Sequence, residues 1–459
     1  MTGHTTRPFW PLALAGLTLE AVLLYWVWLG DLAAAVPLFW LGLLPVGLAY
    51  WYAGRWTAAG PGGLGWILGL ALVFRCTMLF SPPTLSDDIY RYVWDGRQQL
   101  AGINPYRHPP ADEAVAGLRD ALYPGINNKD IPTIYPPAAQ LFFLTAAWIK
   151  PSLLTIKAGL VLVDAALILL LAAMLRRGGR DPRRVLYYAW HPLPLVEIAG
   201  SGHIDVLGVF FVFAALYALQ IKRRAAAALA LAGGFLAKLL PLMLLPLFWR
   251  EFGPHGRWRD WLAWHPRKAL LLFPAATALG LAPYIAAGPQ LLEGLQTYVL
   301  RWRFNDALFS LVYGLLKDPR LTWDDTALQT AKLLCALAVI GVALWALRTR
   351  AEPTDWAAAV FGAYLLLTPT LHPWYLLWIL PFAVFAPRPA WPVLGFSAFL
   401  AYEVLIGYST HGVWQEKNWV LWAEFVPFYT VLALGAFCRR LNRAPNPEHV
   451  DRGGVSFSP

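Results

Sequence analysis

The sequence predicts an all-α fold, a polytopic helical bundle embedded in a membrane, with roughly 11–14 transmembrane or half-spanning helices. Three observations predict it. Of 459 residues, 58% are hydrophobic and only 14% are charged, whereas a soluble domain carries about 25% charged residues. The apolar residues come in runs close to the ~20 that a bilayer span requires. The Lys and Arg residues fall in short clusters between those runs, the pattern of topology signals facing anionic lipid. That placement argues against reading the net charge of +10 as a nucleic-acid surface. The 24 Trp and 24 Phe suit bilayer interfaces, where an amphipathic ring sits comfortably. Cys76, Cys335 and Cys438 lie in or at the ends of apolar segments, so neither zinc spacing nor a disulfide framework is present.

Residues 1–35 imitate a signal peptide, with Arg7, an apolar run and Ala33-Ala34-Ala35. The run is longer than a usual signal core, so an uncleaved anchor is expected. With the N-terminus inside, the runs 9–29, 33–52 and 64–82 deliver residue 83 to the outer face. The run 152–175 ends on Arg176, Arg177, Arg180, Arg183 and Arg184 and therefore travels inward. The segment 136–149 is then left without a crossing and lies at the outer interface. From that inner cluster 185–200 goes out, and 203–221 returns to Lys222, Arg223 and Arg224. The pieces 225–237 and 239–249 make a broken hairpin with Lys238 near its outer tip and Pro241 favouring the break. Both are too short to span alone, so protein must shield them. Arg250, Arg257, Arg259, Arg267 and Lys268 form the next inner cluster. The runs 269–287, 327–348, 354–371, 390–408 and 420–438 follow, with a shorter apolar piece at 374–387, and with Arg348 and Arg350, then Arg439, Arg440 and Arg443, on the inside. The outer segments are then 83–135, 200–202, 238, 288–326, 372–373 and 409–419. A single domain covers 1–443, and the polar tail 444–459 is expected to be a disordered cytoplasmic extension. No internal repeat is visible, which weakens a transporter built from inverted repeats.

Polar residues from five separate segments point at one water–membrane boundary. Asp87, Asp88, Tyr90 and Arg91 open the first outer loop, and His203 and Asp205 follow Gly200-Ser201-Gly202. Lys238 tips the hairpin, Arg301, Arg303 and Asn305 lie in the second loop, and His372 sits in Thr370-Leu371-His372-Pro373-Trp374-Tyr375. Two adjacent carboxylates repel, so one holds its proton longer. They suit a base for an acceptor hydroxyl, with a divalent metal left open on Asp87, Asp88, His203 and Asp205. The plainer alternative is that Ser86 or Asp87 caps a helix, and a cap and a base are not exclusive. His203 and Asp205 suit substrate or metal, or else a solvated helix terminus whose dipole Asp205 complements. Two carboxylates and one His from distant segments form no recognisable metal motif. Lys238, Arg301, Arg303 and His372 suit a phosphate on a lipid carrier, with headgroup contact or snorkelling as the alternative. Arg75, Asp164 and Glu197 lie inside apolar segments, where structural pairing is the expected use. Lys157 and Asp164 are two turns apart, too far for a direct pair.

At these residues the chain resembles polytopic glycosyltransferases of the GT-C superfamily that use polyprenyl-phosphate sugars. Within it, the chain is most similar to bacterial polyprenol-phosphate-mannose-dependent mannosyltransferase-like membrane proteins. The resemblance rests on Ser86-Asp87-Asp88-Ile89-Tyr90-Arg91-Tyr92-Val93-Trp94-Asp95-Gly96-Arg97, on Ala101-Gly102-Ile103-Asn104-Pro105-Tyr106, and on Tyr135-Pro136-Pro137. Gly202-His203-Ile204-Asp205, Lys238 before Pro241, and His372-Pro373-Trp374-Tyr375 complete it, over about residues 64–385. Three runs precede the acidic motif here, whereas the superfamily usually places it after the first.

The resemblance implies inverting transfer of a hexose, mannose first, from a polyprenyl-phosphate-sugar donor to a glycan, lipid or protein hydroxyl outside the membrane. Its acidic base or metal binder falls on Asp87, with Asp88 the close competitor. Tyr90, Arg91, His203, Asp205, Lys238, Arg301, Arg303 and His372 are the expected substrate contacts, with Lys238, Arg301 or Arg303 on the phosphate. No motif requires a cofactor. The partners expected are donor, acceptor and membrane lipids, without nucleic acid, in a bacterial inner membrane. Competing classes are a lipid-linked glycan ligase or polymerase, and a transporter or flippase.

Overall fold

The computed structural model describes residues 10–56, 63–254, 262–349, 351–386 and 388–441. The tail 444–459 and the basic residues Arg7, Arg257, Arg259, Arg350 and Arg443 lie outside the described residues. Within them the chain is helical, with one isolated bridge between Phe304 and Thr370 in place of any sheet. It is an all-α polytopic bundle and an integral membrane protein.

Among the described residues, seven helices are long and apolar enough to cross a membrane: Trp10–Leu29, Val36–Trp56, Leu153–Arg177, His265–Arg301, Asp325–Leu347, Ala390–His411 and Asn418–Cys438. Four shorter apolar helices accompany them: Gly63–Met78, Pro137–Ile149, Asp205–Gln220 and Arg224–Ala237. Leu17, Leu41, Leu44 and Leu162 stay exposed on the long helices, as expected of side chains that face hydrocarbon rather than water.

We label Trp10–Leu29 α1, Val36–Trp56 α2 and Gly63–Met78 α3. A long excursion then carries α4, Asp88–Leu100, two short 3-10 turns, and α5, Pro137–Ile149, before α6, Leu153–Arg177, re-enters the bundle. The helices α4 and α5 lie side by side. A Cβ on Gly96 would come within 2.5 Å of the Phe143 carbonyl oxygen, so only glycine permits this approach. At the same contact Tyr92 stacks on Phe143, with centroids 4.6 Å apart. One face of α5 stays open at Leu141, Trp148 and Ile149, which suits the interfacial position expected of 136–149.

The intramembrane charges are paired. Arg75 Nε meets Asp164 Oδ2 at 2.6 Å, and the Tyr188 hydroxyl donates to Asp164 Oδ1 at 2.6 Å. Lys157 Nζ instead donates to the carbonyls of Leu79 and Ser81, at 2.9 and 2.6 Å, closing the end of α3 where helix carbonyls have no internal partner. Several basic residues do the same at the other end of the bundle. Arg180 and Arg184 donate to the carbonyls of Phe385 and Val384, and Arg250 to those of Thr349 and Ala351.

Three expectations change. Residues 288–326 do not form one open loop, because a helical run continues from His265 to Arg301 and a further helix covers Leu308–Leu316. The expected boundary at 287 survives as a kink at Gly288, with φ 57° and ψ −132°, a conformation open to glycine. The outgoing segment 185–200 is not one helix but a chain of short turns ending in a π-helix over Leu195–Gly200. The segment 374–387 is likewise two 3-10 turns, Pro373–Trp378 and Leu380–Val384. Residues 188–200 and 373–385 are buried throughout, and non-helical backbone at membrane depth requires such protein shielding.

Candidate functional site

At the end of the bundle that carries α4, the starts and ends of five elements meet. Asp88 opens α4, and the carboxylate of Asp87, at the N-cap position, makes no capping hydrogen bond. The cap role falls weakly to Ser86 Oγ, 3.4 Å from the Asp88 backbone N–H. Both acidic side chains are thereby released from the helix terminus. Asn127 Nδ2 donates to Asp87 Oδ1 at 2.5 Å and reaches Asp88 Oδ1 at 3.4 Å. Asp88 turns its other oxygen inward, 3.8 Å from His203 Nδ1, with 27% of its side chain exposed.

His203 follows a tight reversal. Gly202 has φ 81°, and a Cβ there would stand 2.5 Å from Ile89 Cδ1, so this turn and the start of α4 are packed directly together. The imidazole lies flat on Trp374, centroids 3.8 Å apart, and Trp374 lies on His372 at 4.3 Å. Phe304 continues the stack from His372 at 4.8 Å. Its backbone pairs with residues 369–371, accepting from Leu371 N–H at 2.9 Å.

Asp205 begins its helix with both oxygens engaged. Lys238 Nζ donates to Oδ2 at 2.8 Å, and Trp378 Nε1 donates to Oδ1 at 2.7 Å. Lys238 caps the Arg224–Ala237 helix in extended backbone, as the broken hairpin requires. Its ammonium stands 5.1 Å from the Tyr375 ring centroid, and the Tyr375 and Tyr298 hydroxyls bond to each other. The ammonium has donors left over, since an ammonium carries three.

The two excursion carboxylates titrate high. Burial is the main cause for both. For Asp88, the neighbouring Asp87 charge adds to it while Lys238 opposes it, leaving the group at about 6. Asp87 is raised less simply, with the Asn127 hydrogen bond and Lys129 opposing burial. A carboxylate poised near 6 is ionised at neutral pH and still basic enough to take a proton.

Of the residues singled out from sequence, Asp87, Asp88, His203, Asp205, Lys238 and His372 come together here. The others do not. Arg91 is spent on the fold: it pairs with Asp95 at 2.9 Å and donates to the Ile131 carbonyl at 2.9 Å. Tyr90 packs against Trp94, Val115 and Ile126 under the excursion. Arg303 is held by Asp306 at 2.6 Å and by Ser310 at 3.0 Å, over the ring of Tyr313. Arg301 is exposed at the last turn of its helix. Asn305 is buried and ties Glu424 to the Leu371 carbonyl.

Glu197 corrects the expected grouping with Arg75 and Asp164. It stands apart from that pair, with Oε2 3.4 Å from His203 Nε2 and Oε1 accepting from the Tyr402 hydroxyl at 2.9 Å. Asn127 and Tyr402 are new to the site. Their only sequence signals are the polar run 127–130 and a Tyr-Glu pair inside an apolar run, neither of which points to this place. Among the described residues, no three His, Cys, Asp or Glu side chains are grouped to hold a metal ion.

Comparison with known proteins identifies the family. Residues 12–250 match the family described as "Alpha-(1->6)-mannopyranosyltransferase, N-terminal domain", and residues 133–369 match "Glycosyltransferase family 87". Residues 314–426 match "MptB C-terminal domain". A curated relative from Mycolicibacterium smegmatis, named a probable alpha-(1->6)-mannopyranosyltransferase, is 24% identical over 82% of this chain and 75% of its own. Alpha-(1->6)-mannopyranosyltransferase A of Mycobacterium tuberculosis is 25% identical over 88% of this chain and 81% of its own. With two families each matching half its length or more, the chain belongs to the alpha-(1->6)-mannopyranosyltransferase N-terminal-domain family and to glycosyltransferase family 87, and it is a polytopic membrane glycosyltransferase.

Proposed function

We propose that the protein transfers mannose, with inversion, from a polyprenyl-phosphate-linked donor to an acceptor hydroxyl on the outer face of a bacterial inner membrane. One observation carries this reading: a carboxylate raised to about 6, Asp88, lies within the field of Lys238, whose ammonium Asp205 holds at 2.8 Å, in a mannosyltransferase-family fold. In the proposed step, Asp88 takes the acceptor proton as the hydroxyl oxygen attacks the anomeric carbon. The bond from that carbon to the phosphate oxygen breaks, and its electron pair leaves on the phosphate. Lys238 faces that developing charge with the donors Asp205 does not use. Asp205, itself fixed by the Trp378 indole N–H, holds the ammonium in place, so little reorganisation is needed as charge develops. Stabilising the leaving phosphate by a fixed cation removes the need for a strong acid on that side.

Asp87 has a lesser part in this reading. Its outer oxygen is bound to Asn127, and its charge keeps Asp88 basic. Base catalysis supplies about 10²–10⁴ in rate, and positioning with charge stabilisation supplies the remainder. The outer-face assignment rests on the basic clusters, which mark the opposite ends of the helices that start at the site.

The test uses protein in lipid discs with radiolabelled polyprenyl-phosphate-mannose and a membrane-extract acceptor pool. Wild-type transfer that collapses in Asp88→Asn and survives at a reduced level in Asp87→Asn is the expected result. Folded protein that transfers neither mannose nor another hexose to a competent acceptor pool overturns the reading, in favour of ligation of diphosphate-linked glycans or of transport.

A further inference from the structure

Three buried polar atoms at the site have no hydrogen-bond partner: both ring nitrogens of His203, and Oε2 of Glu197. Buried polar atoms are normally paired, so such orphans call for a reason. These three lie in one line. Asp88 Oδ2 stands 3.8 Å from His203 Nδ1, and His203 Nε2 stands 3.4 Å from Glu197 Oε2. Behind Glu197, the buried Tyr402 hydroxyl donates to Oε1 at 2.9 Å. The imidazole is held in the line by its stack on Trp374 and by its backbone N–H on the Glu197 carbonyl at 2.9 Å.

The donor and acceptor roles along this line have one consistent solution when Glu197 is ionised. Tyr402 donates to Glu197, whose second oxygen can only accept. His203 Nε2 therefore carries the hydrogen, and Nδ1 presents a lone pair towards Asp88. An ionised Asp88 finds no donor there, whereas a protonated Asp88 finds an acceptor. We infer that Glu197 acts as the ionised carboxylate and that, with Tyr402, it is a positioning residue that fixes the tautomer of His203, so that Nδ1 accepts a hydrogen bond from Asp88 once Asp88 has taken the acceptor proton.

This rests on the reading of Asp88 as the base. During transfer the acceptor O–H breaks, its proton bonds to Asp88 Oδ2, and the new carboxylic acid donates to Nδ1. The proton goes no further in the step, and His203 stays neutral. A hydrogen bond offered only to the protonated acid favours proton uptake. Contacts of this kind lengthen in a free enzyme and tighten with substrate. The charged and titratable groups surrounding His203 are Asp87 and Asp88 from α4, Glu197 from its own segment, Asp205, Lys238 and His372.

The experiment measures kcat, donor KM and the pH–rate profile for Glu197→Gln, Tyr402→Phe, Glu197→Asp and Asp88→Asn in lipid discs. Glutamine keeps the size of Glu197 but offers an amide that admits the other tautomer. Loss of the bond to protonated Asp88 weakens it as a base, so the acid limb of the profile moves to lower pH. The expected result for Glu197→Gln is a fall in kcat on the order of 10-fold or more, a donor KM within about twofold, and an acid limb displaced downward. Tyr402→Phe moves both in the same direction by less, and Glu197→Asp recovers part of the kcat. Should Glu197→Gln fail to fold, Tyr402→Phe decides alone. An acid limb that stays at its wild-type position in the folded variants overturns the inference. Wild-type activity in Asp88→Asn fails the underlying reading instead, and the two failures are thereby distinct.

Discussion

Asp88 is costly to keep charged, and the cost has a sign. Its folded value of about 6 lies above the ordinary 3.8, so ionising it in the folded protein subtracts stability as pH rises through that window. Asp88→Asn is therefore expected to lose at least about 100-fold in kcat while its thermal midpoint at pH 7 matches or exceeds the wild type. A lowered midpoint would point to a structural part for this carboxylate. Wild-type activity should fall about tenfold per pH unit below 6, as the base becomes protonated. Lys238 and Asp205 behave differently, because each is the other's partner. Lys238→Met leaves a buried carboxylate facing only Trp378, which destabilises. Adding Asp205→Asn should restore the midpoint without restoring transfer, and recovery of both by the double variant would remove Lys238 from the chemistry. Asp205 is occupied by Lys238, and the His203 ring stands between Asp88 and Glu197, so a chelator is expected to leave the rate unchanged. A loss reversed by Mg²⁺ or Mn²⁺ would place an ion at Asp88.

At the scale of elements, α4 and the residues after it act as one mechanical part. Arg91 and Asp95 reach across to Ile131, Thr133 and Gln140. These fasten the return strand of the excursion, which carries Asn127 to Asp87. Arg91→Met should raise protease cleavage between residues 101 and 136 and lower kcat several-fold, with less effect on donor KM. A large rise in donor KM with an intact excursion would restore Arg91 as a substrate contact. Gly202→Ala joins a strained φ to a clash with Ile89, the neighbour of Asp88, and the backbone strain alone costs about 1–2 kcal/mol. The sequence made such elements readable where polarity and hydropathy change together: the start of α4, the Lys238 break, and the crossing at 152–175 all stand close to where the apolar runs end. It did not show the partners of Arg91 and Arg303, because a cation beside a site and a cation locked to a carboxylate three or four residues along the chain look alike until partners are seen. Asp95 and Asp306 sat at that spacing all along. Glu197 was hidden for the opposite reason: its partners, His203 and Tyr402, come from turns no periodicity describes.

For the whole molecule, the basic residues and the acidic site occupy opposite ends. Asp205 and Lys222 bracket one helix, and Lys238 and Arg224 bracket the next. A variant with Cys76, Cys335 and Cys438 replaced by Ala and a single thiol at Ala114, which is exposed on the excursion, should react with an impermeant maleimide on intact cells. A thiol at Lys222 should react only after permeabilisation. The reverse pattern would put the site in the cytoplasm and withdraw a lipid-carried donor presented from outside. The bundle itself was legible from composition and charge clusters. The backbone of the short apolar pieces 185–200 and 374–386 was not, because apolar content marks burial while the path of the chain there is decided by what packs around it.

Arg180 and Arg184 find their carbonyl partners 205 and 200 residues later in the chain. During synthesis these arginines, and the short turns that follow them, therefore wait through several further insertions before the segment at 380–385 arrives. Nascent chains cut short of that segment will hold unfinished backbone at membrane depth, a form that quality-control proteases recognise. The same arginines that orient the early helices thus make the maturation of this protein depend on its late ones.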